Sequence, residues 1–341
     1  MSKKIKKEGP AFLGKAFNKI GWAFYSLRVA ISSKSHEKKA KQKPAKYGHK
    51  RIKDGLFVYA VLLLPIIQFC IFYIGVNLNS ILMTFQRYDE SGYIWAGFYN
   101  FELVWNNFVK TAIFGTVLRN SLLSFVVVQL MSPIVLFFTF FIYKKFVGYK
   151  FFKVILFLPT IISSVILVTI FKKVCDVAIP SIVKALTDKS ITGLLSNPDT
   201  KFGAIMFFYL WLSFGSLMLM YLGAMNGISD SVSEAAKLDG ANNVQEFFYV
   251  VFPMIYPTFS TLFYTSVATI FTNQINLYSL WGTEADSAVW TFGYYLYKEV
   301  VQATSSNYPY LATLGILMTF IAAPLTFFCK WLLTKIGPSV E

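Results

Sequence analysis

The feature that most constrains this chain is a series of six long apolar segments separated by polar loops. Each segment approaches or exceeds the roughly 20 residues that a helix needs to cross a bilayer. Because a backbone in lipid must satisfy its own hydrogen bonds, continuous apolar runs of this length form helices. The sequence therefore predicts an all-α membrane protein with six transmembrane helices, at Leu56–Phe85, Ser121–Tyr143, Val154–Phe171, Phe202–Met225, Ile255–Leu277 and Leu311–Leu332.

The composition agrees with residence in a membrane. Hydrophobic residues make up 55% of the chain and charged residues 14%, whereas soluble domains average about 25% charged residues. No polar stretch is long enough for a separate globular domain, and the first apolar segment starts too far along the chain for a cleavable signal peptide. Three scattered cysteines, Cys70, Cys175 and Cys329, give neither a disulfide framework nor metal-ligand spacing.

The distribution of basic residues predicts the orientation. The first 53 residues hold 16 of the 32 Lys and Arg residues, and four more lie in the loop Lys144–Lys153. With the N-terminus inside, cytoplasmic segments hold 23 basic residues and outer segments hold nine. Since cytoplasmic loops are enriched in Lys and Arg, both termini are predicted to be cytoplasmic. The outer loops are then Gln86–Asn120, Lys172–Lys201 and Tyr278–Tyr310.

The basic segment 1–53 precedes a membrane domain at residues 54–335 and a short cytoplasmic tail at residues 336–341. Within Ala11–Ile31, apolar residues recur at spacings of three and four, which share one face of a helix. This pattern is consistent with a helix on the anionic inner leaflet or with a disordered basic tail. Ser32–Lys53 has little that could pack and is predicted to be a linker. Membrane lipid is thus an expected partner, and nucleic acid is not, because no basic folded face is apparent.

A polar loop between the fourth and fifth segments carries strong local signals. Ser231 followed by Glu234 is a capping-box pattern that predicts a helix start. Gly240 suits the left-handed position that ends such a helix. Asn243 with Glu246 repeats the start signal. The loop is therefore predicted to fold as helix, glycine turn and helix along the membrane surface.

The spacing within this loop, residues 229–256, resembles the signature of ABC-transporter permease subunits. That signature reads Glu-Ala-Ala, three residues, Gly, nine residues, an aliphatic residue, one residue, an apolar residue and Pro. The matching residues here are Glu234-Ala235-Ala236, Gly240, Val250, Phe252 and Pro253. The run from Glu234 to Ala241 is similar to binding-protein-dependent carbohydrate importers of the maltose and glycerol-phosphate type, and the resemblance covers residues 56–335.

The resemblance implies a fold, an activity and partners. The fold is that of a type I ABC importer permease, and the activity is ATP-driven import of a carbohydrate, such as an oligosaccharide, across the cell membrane by alternating access. The implied partners are a second permease subunit, two cytoplasmic ABC ATPase subunits, an extracellular solute-binding protein and the carbohydrate substrate. The loop would be the helix that couples the permease to the ATPase. The residues at that contact would be Glu234, Ala235, Ala236, Asp239, Gly240 and Pro253.

Polar residues in membrane segments are costly and tend to face a cavity or a partner helix. The fifth segment is rich in them, and sugars need amide and hydroxyl partners with an aromatic face for stacking. The predicted substrate path comprises Asn273, Gln274, Asn276, Tyr278, Tyr209 and Trp211. The same amides could instead join helices, and the rings could face lipid. Because the stretch Tyr278–Glu284 replaces the Gly-Gly-Pro of relatives, the solute class stays open, and a non-sugar importer is an alternative.

Other function classes fit less well. The chain has no Gly-x4-Gly-Lys-Ser/Thr phosphate loop, so ATP hydrolysis is expected in a partner chain. A self-sufficient secondary transporter would carry ionisable residues at mid-membrane and inverted repeats, and neither is apparent. A membrane enzyme would need a clustered acid or metal site, and the acidic pairs Asp89-Glu90 and Glu284/Asp286 have no histidine nearby. No catalytic residue, metal site or cofactor is therefore expected.

Overall fold

A computed structural model of the chain describes residues 50–338. The chain divides into two compact units, Met1–Tyr73 and Ile74–Glu341. In the first unit, helix α1 spans Lys50–Gln68 and is followed by the π-helical stretch Phe69–Gly75, which crosses the boundary. Helix α1 thus begins inside the predicted linker. The predicted surface helix at Ala11–Ile31 lies outside the described residues.

The second unit is built mainly of helices. Its strands pair as one antiparallel hairpin, with Gln86 opposite Trp95 and Asp89 opposite Gly92. π-helical turns precede α4, α7 and α11. In chain order the elements are α2 Val76–Met83, β1 Gln86–Asp89, β2 Gly92–Trp95, α3 Tyr99–Val104, α4 Ala112–Tyr143, α5 Tyr149–Ile161, α6 Ser164–Lys173, α7 Ile179–Thr187, α8 Pro198–Asn226, α9 Asp230–Leu238, α10 Asn243–Glu246, α11 Phe252–Ala268, α12 Leu277–Trp281, α13 Phe292–Val301 and α14 Tyr308–Ile336.

Within the described residues, five helices are long and apolar enough to cross a membrane. They are Phe57–Met83, Ala112–Tyr143, Pro198–Asn226, Asn243–Ala268 and Tyr308–Ile336. All five overlap predicted segments, so the helical membrane class is confirmed. Helix α4 begins nine residues before its predicted start and has 32 residues, which is about 48 Å of helix. It therefore extends well beyond a hydrocarbon core of about 30 Å.

The third predicted segment is not one continuous helix. It is a pair, Tyr149–Ile161 and Ser164–Thr187, bent by 106° at the break. Pro159 has no N–H for the helix ladder, and Ile162 is extended at φ −76° and ψ 140°. Helix α8 also approaches closely here, because a Cβ on Gly215 would lie 2.5 Å from the carbonyl oxygen of Leu156. Counted as one bent span, the pair completes the predicted six.

The predicted C-terminal end of the fifth segment, Ile255–Leu277, is wrong. Helix α11 ends at Ala268, and residues 269–276 form an irregular connection to α12. The predicted amides Asn273, Gln274 and Asn276 therefore lie beyond the spanning helix. Hydropathy cannot reveal this end, because the irregular residues include buried Ile270, Phe271 and Ile275.

Buried apolar side chains gather in two clusters. One cluster joins the second half of α4 to α8 and the loop that follows it, and includes Phe140, Met218, Tyr221, Phe247 and Ile255. The other joins the start of α4 to the segment after α11, and includes Val117, Phe208, Leu277, Phe292 and Leu314. Each cluster supports one of the two regions that the sequence predicted to be functional.

Candidate coupling loop and substrate path

Helix α9 carries the Glu-Ala-Ala run, and its start differs from the prediction. Its N-cap residue is Ser229, with no side-chain capping bond, so the predicted Ser231–Glu234 capping box is wrong. The two serine hydroxyls bond each other instead, at 2.8 Å between Ser229 Oγ and Ser231 Oγ. Asp230 lies in the first turn, where a negative charge interacts favourably with the helix dipole.

The end of α9 follows the prediction. Gly240 has φ +79°, which is the left-handed position that glycine adopts without steric cost. The amide of Ala241 bonds the carbonyl of Ala236, and the amide of Gly240 bonds that of Lys237, both at 3.0 Å. This pair of bonds is a Schellman motif and satisfies carbonyls that the helix end would leave free. The turn is therefore a defined structure.

The second helix of the loop begins one residue earlier than predicted. Asn242, not Asn243, is the N-cap, and it forms a reciprocal capping box with Gln245. Each of the two amide–side-chain bonds is 2.9 Å long. Such a box satisfies two backbone N–H groups of the first turn. Helix α10 and a π-helical turn then lead into α11, whose first turn contains Pro253.

Glu246 is not a helix-start signal but one half of a buried ion pair. Its side chain is 1% exposed, and Lys144 Nζ lies 2.7 Å from Oε2 and 2.8 Å from Oε1. Ser233 on α9 donates a hydroxyl hydrogen bond to the same carboxylate. Lys144 follows the last residue of α4 directly. One carboxylate therefore connects α4, α9 and α10.

Sequence reasoning missed this pair, since it treated Lys144 only as a topology signal. A clue was present: Glu246 precedes the apolar run Phe247–Phe252, beside which an unpaired buried acid would be costly. Breaking such a pair by removing one partner typically costs 3–5 kcal/mol. The pair therefore holds the loop firmly to the membrane helices.

The opposite face of α9 is not covered by any of the residues that the structure describes. Ala236 packs inward at 1% exposure, whereas Glu234, Asp239 and Gly240 are exposed and Leu238 is 89% exposed. Within residues 50–338 Glu234 makes no ion pair. The remaining predicted residues, Ala235 and Pro253, are half-buried.

The irregular segment 269–276 is held by hydrogen bonds within the segment and to side chains outside it. Asn273 donates its amide hydrogen to the Tyr209 hydroxyl and accepts the Ile275 amide at 2.9 Å. Thr291 bonds the Asn273 carbonyl at 2.7 Å. Ile275 and Asn276 both have positive φ, +44° and +62°, which is strained for a β-branched residue. Asn273 and Tyr209, two of the predicted path residues, thus bond each other and help to hold the backbone of this segment.

The start of α4 and the start of α13 support this segment. Asn120 is fully buried and donates to the carbonyls of Ala288 and Trp290, at 2.9 and 3.0 Å. A Cβ on Gly293 would lie 2.4 Å from the Thr272 carbonyl group, so the two backbones touch. Sequence reasoning had placed Asn120 in an outer loop and gave it no role.

The remaining predicted path residues divide into two groups. Gln274 and Asn276 are partly exposed, and in the described chain neither side chain makes a hydrogen bond. Tyr278 is 36% exposed and packs edge-on against Tyr297, with 4.8 Å between ring centroids. Trp211 instead lines an apolar cavity of about 560 Å³ between the bent span and α8.

The charged and titratable groups near the predicted path pair with other groups of the protein. Lys201 at the start of α8 pairs with Asp286 at 2.8 Å, and this hydrogen bond lowers the pKa of the Asp286 carboxyl. Burial raises the pKa of Tyr294, whose hydroxyl bonds the Gly282 carbonyl at 2.9 Å. Within the described residues no cluster of His, Cys, Asp or Glu could hold a metal ion.

The chain was compared with known proteins. A family model described as "Binding-protein-dependent transport system inner membrane component" matches residues 108–341. The chain belongs to this family. The match includes the whole loop from Ser229 to Tyr256, and it confirms both the predicted resemblance and a multi-pass place in the cell membrane.

Curated relatives include permeases of sugar transport systems. The chain is 25% identical over 178 residues to the multiple sugar-binding transport system permease protein MsmF of Streptococcus mutans, covering 52% of this chain and 61% of that protein. It is 26% identical over 270 residues to the arabinooligosaccharides transport system permease protein AraP of Halalkalibacterium halodurans, covering 76% and 83%.

A solved structure has the same fold. It is a bacterial ABC transporter involved in import of the acidic polysaccharide alginate, and one of its chains matches with a TM-score of 0.68 and 20% identity. The match covers 85% of this chain and 99% of that chain. This likeness shows that the two chains share a fold.

Proposed function

We propose that this chain is a permease subunit of an ATP-driven ABC importer that moves a carbohydrate across the cell membrane by alternating access. The relatives support the carbohydrate class, since their names specify multiple sugars and arabinooligosaccharides. Both termini face the cytoplasm in this proposal, as the basic residues predict. A second permease subunit, two ATPase subunits and an extracellular solute-binding protein complete the importer.

The coupling role is supported by one observation: one face of α9 is exposed, while the other side of the loop is fixed to the membrane helices. The exposed face of α9 presents Glu234, Leu238 and Gly240, while the buried bond of Lys144 to Glu246 holds the loop to α4 and α10. A partner that binds this exposed face and then moves would displace α9 as a whole, because the ion pair keeps the loop from deforming. That displacement would pass directly to the spanning helices α4 and α11.

The solute would pass the irregular segment after α11. Gln274 and Asn276 offer amide groups with no bonds to the described residues, and Tyr278 offers a partly exposed ring. Amides bond sugar hydroxyls, and aromatic faces stack on sugar rings. Asn273 and Tyr209 hold the segment in place. We assign no catalytic step to this chain, and ATP hydrolysis takes place in the ATPase subunits.

Charge reversal at Glu234 tests the coupling role. Glu234→Lys is expected to abolish uptake while leaving the amount of permease in the membrane unchanged, because residue 234 is exposed and unpaired in the described structure. Glu90→Lys makes the same charge change at an exposed site in the hairpin turn and should leave uptake normal. The assay is uptake of labelled maltodextrin, arabinooligosaccharide and alginate oligosaccharide by cells.

Normal uptake by Glu234→Lys would remove the coupling assignment. If deletion of the permease lowers the uptake of none of these sugars, the result would point to a non-sugar solute. Purification in mild detergent tests the remaining alternative, in which the chain transports without partner subunits. Recovery of this chain alone, with transport intact after reconstitution, would show a self-sufficient transporter.

Truncating Gln274 tests the path. Gln274→Ala is expected to raise the KM for uptake by up to about tenfold, because one hydrogen bond contributes roughly 0.5–1.5 kcal/mol. Asn273→Ala should instead lower the thermal stability of the permease, since Asn273 bonds Tyr209 and its own loop. Equal KM values for Gln274→Ala and the wild type would place the path elsewhere.

A further inference from the structure

A second polar recess lies apart from the irregular segment. It is a cleft of about 650 Å³ between the β1–β2 hairpin, α3 with its following turn, and the start of α14. Its volume falls within the range of roughly 300–1,000 Å³ that is usual for small-molecule sites. The lining side chains relevant to ligand binding are Arg87, Tyr88, Asp89, Tyr99, Asn107 and Asn307.

The walls of this cleft are fixed to one another. Asn100 is buried and donates to the carbonyls of Thr84 and Gln86, at 2.9 and 2.6 Å, which holds α3 against the hairpin. The hydroxyl of Tyr93 donates to the carbonyl of Ser305 at 3.2 Å. This bond connects the hairpin to the residues before α14. The cleft therefore exists without a ligand to shape it.

The polar groups that face the cleft are available for a ligand. In the described part of the chain, the side chains of Arg87, Asn107 and Asn307 make no hydrogen bond and no ion pair. Asn307 is the N-cap residue of α14 but makes no capping bond. Asp89 accepts only the amide of Ser91, at 2.8 Å. Two amides, a guanidinium and a carboxylate thus converge on one recess with unused hydrogen-bonding capacity.

Tyrosine rings supply the apolar part of the surface. Tyr88 is 44% exposed and Tyr99 is 48% exposed. Tyr88 packs edge-on against Tyr93 with 5.1 Å between centroids. Such rings present flat apolar faces beside polar groups, and their burial against a ligand costs little side-chain entropy.

We propose that this cleft is an oligosaccharide-binding subsite on the outer side of the permease, separate from the path at Gln274. Planar amides and guanidinium groups bond neighbouring ring hydroxyls in pairs, and tyrosine faces stack on the apolar face of a sugar ring. A metal ion would need more than the single carboxylate of Asp89, and an apolar ligand would leave these polar groups unpaired. This subsite rests on the proposed function for its side of the membrane and for the class of its ligand.

The test uses the full-length permease in lipid nanodiscs. Maltohexaose, arabinohexaose and an alginate pentasaccharide are titrated and followed by saturation-transfer NMR. At least one should bind, and the double variant Asn107→Ala/Asn307→Ala should bind it at least tenfold more weakly. Asn106→Ala is the matched control, because Asn106 bonds Lys110 at 2.9 Å and does not line the cleft. Thermal unfolding checks that the variants fold alike.

Equal binding by the double variant and the wild type would overturn the subsite, as would failure of the wild type to bind any of the three sugars. Uptake in cells distinguishes failure of the subsite from failure of the proposed function. If only the subsite is wrong, Glu234→Lys abolishes uptake while the double variant keeps the wild-type KM. If the proposed function is wrong, Glu234→Lys transports normally whatever the cleft binds. Gln274→Ala should retain binding at the cleft.

Discussion

Replacing Lys144 with methionine should loosen the proposed coupling loop, residues 229–256, while leaving the spanning helices in place. The substitution keeps most of the apolar stem but removes the cation that lies 2.7 Å from the Glu246 carboxylate. That carboxylate is 1% exposed and would retain only Ser233 as a strong partner. A buried charge left in this way is costly because water cannot replace the lost partner.

The size of the effect follows from the burial. Removing one partner of a buried ion pair costs about 3–5 kcal/mol. Since 1.4 kcal/mol is a factor of ten, the loop should open roughly 100 to 4,000 times more often. An exposed pair would give less than about 1 kcal/mol, so the two cases are easily distinguished.

Hydrogen exchange measures this directly. Amides of residues 229–247 in nanodisc-embedded permease should lose protection by at least about 100-fold in Lys144→Met, because local opening controls their exchange. Lys145→Met is the matched control, since Lys145 is the exposed neighbour with the same charge and no ion pair in the described chain. The double variant Lys144→Met/Glu246→Leu should regain most of the protection, because apolar replacement of a whole buried pair is often neutral.

Two results would refute this reasoning. Unchanged protection in Lys144→Met would mean that the ion pair does not hold the loop. Equal loss in Lys144→Met and Lys145→Met would mean that general charge, not the buried contact, is responsible.

Two further predictions concern the scaffold around the irregular segment. Gly293→Ala should destabilise the permease by about 1–3 kcal/mol through overpacking, because the new Cβ would meet the Thr272 backbone at 2.4 Å; thermal unfolding should show no such loss for Gly315→Ala, where the space is open. The hydrogen bond from Lys201 lowers the pKa of Asp286 below its usual 3.8. The pair therefore stabilises the fold fully above pH 3.8, and this stabilisation is lost as the pH falls through the lowered pKa of the folded state. Asp286→Asn should therefore lower the free energy of unfolding at pH 7 by less than about 1 kcal/mol, because the pair is partly exposed, and this difference from the wild type should shrink as the pH falls below 3.8; a difference that does not change with pH would contradict this.

Local features of this protein were predictable from the sequence. The presence of the spans predicted at Ser121–Tyr143 and Leu311–Leu332 follows from length and hydropathy, because a bilayer demands a minimum apolar length. The left-handed turn at Gly240 follows from the lack of a Cβ. The family follows from a residue spacing inside one loop. Capping signals were less specific, since Asn242 and Asn243 stand side by side and only the folded backbone selects Asn242.

By itself, the sequence determined where apolar helices form, where a glycine ends one, and which family the loop spacing indicates, because these depend on neighbouring residues. Only the tertiary structure decided the break at Ile162, the irregular segment 269–276 and the buried partnership of Lys144 with Glu246. The irregular segment is held partly by groups distant in sequence, since the Thr291 hydroxyl donates to the Asn273 carbonyl. The partners in the ion pair are 102 residues apart, so no local pattern contains them.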